Sequence, residues 1–217
     1  MDREGFLARF RPSPAPSEPP AVPAWTGGAD PDAFLARLEA GGGRARRGAR
    51  GDWPDQVVAQ AGEWDVRRAV VTGEPALAPA IDALRACQIE VTTVGVEAPP
   101  AGLRERAAAA DLGLTTARWG LTSTGTSVLV ADAQSPRLVS LLPSAHLAVL
   151  WEEDLLPDLA ALARATRQLG AMPSAVTLVT GPSRTADIEQ TLVVGVHGPA
   201  RMGVVLVSSG VGASPAS

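Results

Sequence analysis

The chain has 217 residues, 46 % of them apolar, and a formal net charge of −4. That is enough length and apolar content for one domain with a real core, and the acidic balance gives no general attraction for nucleic acid. All nineteen basic residues are arginine, so no lysine Schiff base can form.

No stretch of 18 uninterrupted apolar residues suggests a membrane span. The opening "MDREGFLARF" lacks the apolar core and small-residue cleavage site of a secretory leader. The expectation is a cytoplasmic protein. The single cysteine, Cys87, excludes an internal disulfide and any multi-cysteine cluster within the chain. His146 and His197 lie far apart, so too few soft or imidazole ligands remain for a transition metal, and no cofactor is expected in this chain. Cys87, at the end of a helical pattern, is expected to be a buried, inert thiol.

In chain order, residues 2–10 suit a short helix with Phe6, Leu7 and Phe10 on one side. The proline density of 11–29 permits neither helix nor central strand and reads as a tether. "DPDAFLARLEAGGG" is a helix with Asp30 as cap, Pro31 in its first turn and a glycine stop. The basic run "RARRGARGD" (44–52) reads as a solvated loop, and "DWPDQVVAQAGEW" as a second capped helix. From Arg68 strands and helices alternate. "RAVVTGE" is a strand, "PALAPAIDALRAC" a helix, "IEVTTVG" a strand and "PAGLRERAAAADLG" a helix. "LTTARWGLTSTGTSVLVAD" reads as strand, turn, strand. "RLVSLLP" and "HLAVLWEED" are two more strands. "LLPDLAALARATRQLG" is a helix, "SAVTLVTGP" a strand, and "MGVVLV" the closing strand.

Alternation of this kind argues for an α/β sheet covered on both faces. The near-continuous apolar strands "RAVVT", "AVTLVT" and "MGVVLV" fit parallel, doubly buried positions. The organisation expected is a helical front end over 1–67, an α/β domain over 68–208, and a frayed tail over 209–217.

In such sheets ligands bind beyond the carboxyl ends of strands, which draws attention to "VTGE" and "VTGPSRTAD". Three glycine-containing loops stand out. In the first, Thr122, Ser123, Thr124 and Thr126 surround Gly125, and their hydroxyls suit a carboxylate or phosphate. No P-loop or dinucleotide fingerprint is present. In the second, Gly181, Ser183, Arg184 and Thr185 precede Asp187 and Glu189. Ser183 or Thr185 could cap a helical turn there, or Arg184 could meet a ligand anion. In the third, "VHGPARM", His197 lies between an apolar run and a Gly-Pro pair; His146 is expected to be structural. A site for a small anionic ligand shared by the first two loops is the expectation.

Taken together, "GLTSTGTSVL", "LLPSAHLAVL", "GPSRTADIEQTLVVGVHGP" and "VVLV" resemble the lactate utilisation protein C family, the LUD-domain proteins, over about residues 68–207. The resemblance implies a three-layer α/β/α fold like that of ribose-5-phosphate isomerase and the CoA transferases, around a mainly parallel sheet. It also implies a role in the bacterial oxidation of L-lactate to pyruvate beside iron–sulfur partner subunits. One departure bears on chemistry: where family members commonly carry an acidic residue in the first loop, this chain has Ser123, which argues against a carboxylate nucleophile there. The reading is therefore an accessory or regulatory component; the alternative is a stand-alone enzyme acting on a sugar phosphate or CoA ester.

Overall fold

The computed structural model describes residues 26–94, 102–132, 135–170, 173–186, 192–194 and 198–209. Most of the 11–29 tether, the 2–10 helix and the end of the tail lie outside them, as do Asp187, Glu189 and His197.

The first helix, α1 (Pro31–Ala40), starts where its sequence says it should. Asp30 Oδ1 accepts the N–H groups of Asp32 and Ala33 at 2.9 and 3.1 Å, a cap that contributes about 1 kcal/mol. Strand β1 (Arg44–Gly48) and α2 (Trp53–Glu63) follow. Then come β2 (Arg68–Thr72), α3 (Ala78–Ala86), β3 (Glu90–Val94), α4 (Leu103–Ala109) and β4 (Leu112–Thr116). The later elements of the main body are α5 (Leu138–Leu141), β7 (Ala145–Trp151) and β12 (Arg201–Val207). Six strands form one sheet in the order β1-β12-β7-β4-β2-β3, and every neighbouring pair is parallel.

Side-chain alternation divides the core into two layers. Val71, Leu114, Leu147, Val149 and Val205 face α2 and α3, meeting Trp53, Val57, Leu77 and Leu84. On the other face, Phe34 and Leu38 of α1 cover Ala148, Leu150, Val204 and Leu206, while Leu103, Ala107 and Val139 cover Val70 and Val94. The result is the expected α/β/α sandwich. Among the described residues no helix is long and apolar enough to cross a membrane.

A smaller sheet, order β8-β5-β6-β9, leans on this body. It comprises β5 (Trp119–Leu121), β6 (Thr126–Ala131), β8 (Leu155–Leu156) and β9 (Ala175–Val179). The α6 helix (Leu159–Arg167), capped by Asp158, packs on it through Leu162 against Trp119, Leu121 and Val128.

Several sequence expectations are corrected. "SAVTLVTGP" is not a doubly buried parallel strand: β9 pairs antiparallel with β6 at the edge of the small sheet, with Leu178 exposed. Its apolar run covers one partner instead of filling a central position. "RLVSLLP" is no strand but the short helix α5, which lies directly on β4. A Cβ at Gly113 would sit 1.9 Å from the Val139 carbonyl oxygen, so only glycine admits this helix. The basic run at 44–52 opens as an edge strand, β1, paired with β12. Its alternating arginines charge the edge and discourage further pairing. The described part of the helical front end thus adds two helices and a strand to the same body. Cys87 is exposed, because α3 buries Ala80, Ile81 and Leu84 and ends as Cys87 caps it.

Candidate functional site

The Ser/Thr loop is the turn between β5 and β6, which run antiparallel. Gly125, at φ +65°, donates its N–H to the Leu121 carbonyl at 2.9 Å, and its α-carbon presses on α1: a Cβ there would lie 2.3 Å from the Leu38 nitrogen. The hydroxyls serve this junction. Thr122, fully buried, accepts the Asp30 N–H at 3.2 Å. Thr124 and Thr126 share a hydrogen bond at 2.6 Å, and Thr126 and Thr180 another at 2.8 Å. The Ser123 N–H donates to the Pro157 carbonyl at 3.0 Å. Only Thr124 of the loop is exposed.

That hydroxyl chain joins the first loop to the second. Beyond Thr180, Gly181 meets the triple glycine that ends α1, a Cβ at Gly181 falling 2.5 Å from the Gly41 carbonyl oxygen. The Ser183 N–H donates to the Pro199 carbonyl at 3.0 Å, and Arg184 Nη2 donates to the Gly41 carbonyl at 2.7 Å. The helical turn expected around Asp187 and Glu189 lies outside the described residues. Arg184–Ala186 is a strand, β10, paired antiparallel with β11 (Leu192–Val194), and Thr185 sits within it.

Beside this junction a cavity of about 590 Å³ opens at the amino ends of β1 and β12. Its charged lining is Arg44, Arg201, Glu39 and Glu63. Glu63 is committed to Arg46. Arg201 lies 5.6 Å from the Trp64 ring centroid and donates to the Trp64 carbonyl at 3.0 Å. Arg44 is exposed and makes no ion pair among the described residues. Arg184 adjoins the cavity through Gly42, since a Cβ there would meet Arg184 Nη2 at 2.0 Å. Arg44 and Arg201 in the basin, with Arg184 adjoining it, can receive a carboxylate or phosphate through charge-assisted hydrogen bonds.

The opposite end of the sheet holds a second polar cleft, of about 350 Å³, at the carboxyl ends of β2, β4 and β7. Glu74 follows β2 by two residues and accepts the Thr116 hydroxyl on Oε2. Arg118 lies over Trp119 at 5.3 Å, and Trp151 forms a wall, itself edge-on to Trp53 at 6.3 Å. Arg50 is held by Glu153. Desolvation raises the Asp154 carboxyl above its ordinary range, helped by Glu153 and opposed by Arg118. Of this set, the sequence pointed only to "VTGE". Thr116, Arg118 and Asp154 fall in strand-end segments without glycine or motif, and only the strand-end rule itself could have found them.

His146 is buried within β7, its Nε2 sharing a hydrogen bond with Thr115 Oγ1 at 3.0 Å. Burial lowers its pKa to about 4, so the ring is neutral.

Residues 39–207 match a family model described as LUD domain. A lactate utilization protein C of Halalkalibacterium halodurans is 39 % identical over 109 residues, 48 % of this chain and 47 % of that one. The Bacillus subtilis protein of the same name is 38 % identical over 108 residues, 48 % of this chain and 45 % of its own length. The matched region thus spans about half the length of these relatives. Among solved structures, a DUF162 family protein of Deinococcus radiodurans superposes with a TM-score of 0.56 at 24 % identity, covering 81 % of this chain and 94 % of that one. That likeness speaks for the fold.

Proposed function

The chain belongs to the LUD domain family, and on that premise we propose that it serves L-lactate utilisation in the cytoplasm as an accessory or regulatory component, binding a small anionic ligand at the amino-end basin. The family match carries the pathway, supported by relatives named for lactate utilisation. The anion reading is supported by the basin, where Arg44 and Arg201 line the cavity and Arg184 adjoins it through Gly42.

Electron transfer is assigned to other chains. A single cysteine cannot ligate an iron–sulfur cluster, and the sequence has no dinucleotide fingerprint. Iron–sulfur subunits are the partners this reading requires.

Deletion of the gene should abolish growth on L-lactate and spare growth on glucose. Complementation with an Arg44→Gln/Arg184→Gln double variant should restore growth poorly, each lost charge-assisted contact weakening anion binding by about 1.5–3 kcal/mol. Normal growth of the deletion strain on lactate, with no second copy present, would sink the pathway reading. Full rescue by the double variant would remove the basin from it.

A further inference from the structure

The amino-end basin leaves the carboxyl-end cleft unused. We propose that this cleft is a binding site for a small carboxylate bearing a hydrogen-bond donor on the adjacent carbon, with Arg118 taking the carboxylate and Glu74 the donor. The proposal is independent of the basin and draws on the lactate reading only for its probe.

The groups with open valences decide what the cleft can bind. Arg50 is neutralised by Glu153. Arg118 is exposed, stacked on Trp119, and makes no ion pair among the described residues. The Trp119 ring, 5.3 Å from the guanidinium carbon, attracts the cation without consuming its N–H donors, which remain available to a carboxylate. Glu74 is half-buried, and Thr116 occupies only Oε2, so Oε1 is an acceptor with no hydrogen-bond donor among the described residues. A partly desolvated acceptor of this kind favours a ligand that brings an O–H or N–H.

Charge then narrows the class. Glu74 and Asp154 line the same cleft as Arg118. A bare dianion such as phosphate meets, among the described residues, one cation outside an ion pair and two carboxyl groups. A monocarboxylate with a neighbouring hydroxyl or ammonium presents one anionic end and one donating end, matching the pair. Size agrees: about 350 Å³ is at the small end of ligand pockets, and Trp151, Ala76 and Ala117 supply apolar wall for a short carbon chain.

The test is calorimetric titration of the full chain with L-lactate, L-alanine and propionate, in wild type and in Arg118→Gln, Glu74→Gln and Arg164→Gln. Arg164 is exposed on α6, lines neither cavity, and serves as the control. Thermal melts establish that each variant is folded. L-lactate or L-alanine should bind, and which of them does tells hydroxyl from ammonium recognition. Propionate, lacking the donor, should bind about tenfold more weakly or worse. Arg118→Gln and Glu74→Gln should each weaken binding by about tenfold or more, with Arg164→Gln unchanged. Equal binding of propionate, no binding of either donor-bearing acid at millimolar concentration, or folded Arg118→Gln and Glu74→Gln variants with wild-type affinity would each overturn the proposal. If Arg44→Gln abolished lactate binding while Arg118→Gln spared it, the ligand would belong to the amino-end basin, and the cleft proposal would fall with the basin reading intact.

Discussion

The two ends of the parallel sheet spend their polar groups differently. At the amino end, the Ser/Thr loop and the triple glycine meet, and most donors of the junction have internal partners among the described residues, with Arg44 left as the open cation of the basin. Thr124, Thr126 and Thr180 form one hydroxyl chain, and Arg184 donates to Gly41. At the carboxyl end, Arg118 and one oxygen of Glu74 are left open beside a cavity. A run of small hydroxyl residues is conspicuous in sequence, yet here most of it holds α1, the small sheet and β10 together. Recognition falls to groups with open valences, and those are inconspicuous in sequence.

The largest expected effect comes from forcing the amino-end junction apart. Gly125→Ala places a Cβ 2.3 Å from the Leu38 nitrogen at a backbone angle of +65°. The left-handed angle costs about 1 kcal/mol and overpacking against helix backbone about 2 kcal/mol more. The variant should therefore lose about 3 kcal/mol in denaturant unfolding. A loss below about 1 kcal/mol would mean that the loop and α1 yield freely and that the junction is no clamp.

Legibility follows the same contrast. Periodicity revealed α1, α2, α3, β2, β7 and β12, because each buries a continuous face, and the alternation of elements revealed the layered sheet. It failed at "RLVSLLP", where a short apolar run fits helix or strand equally and Gly113 on another strand decides. It failed at β9, whose composition matches a central strand although only one neighbour pairs with it. Glycine and hydroxyl signals located the amino-end loops but could not say that their donors would be used up internally. The carboxyl-end pair was hidden because Glu74 and Arg118 follow different strands, and no local pattern links them.

His146 gives the second effect, from the buried middle of the sheet. Its folded pKa of about 4 lies below its ordinary value near 6.5. The neutral ring is thus favoured by folding, and its contribution is complete above about pH 6.5. As pH falls from there toward 4, the unfolded chain takes up a proton that the native state refuses, and stability drops by about 3 kcal/mol in total. Denaturation midpoints measured between pH 7.5 and 4.5 should fall, and the His146 ring resonances should titrate near 4. A ring titrating near 6.5 in the native protein would contradict the burial argument.

Next in size is Thr126→Val, which keeps shape and removes the central hydroxyl of the chain. Thr126 is buried, but its partners Thr124 and Thr180 are exposed and can turn to water. The loss should be about 1 kcal/mol, with lactate binding at the opposite end unchanged. A loss several times larger would show the hydroxyl chain to be more than a local tie.

The smallest effect tests whether the carboxyl end holds structural ties as well as open groups. Arg47 bridges Asp32 of α1 at 2.8 Å and Glu152, just past β7, at 2.6 Å. The hydrogen bond to Glu152 is the main reason its guanidinium holds its proton more tightly than usual. The bridge resembles the satisfied amino-end contacts, and its worth is limited for two reasons. The Arg47 side chain is 45 % exposed and that of Asp32 82 %, so water and salt screen the pair. Glu152 also accepts weakly from the Ser209 N–H and hydroxyl at 3.3 and 3.4 Å, so it is not stranded when the arginine goes. Arg47→Met should therefore cost about 0.5–1 kcal/mol at low salt, and less at about 1 M salt, where the screening length is only about 3 Å. It should not alter ligand binding at Arg118. A salt-independent loss would assign the effect to packing of the arginine stem, and a change in lactate affinity would join Arg47 to the group with open valences.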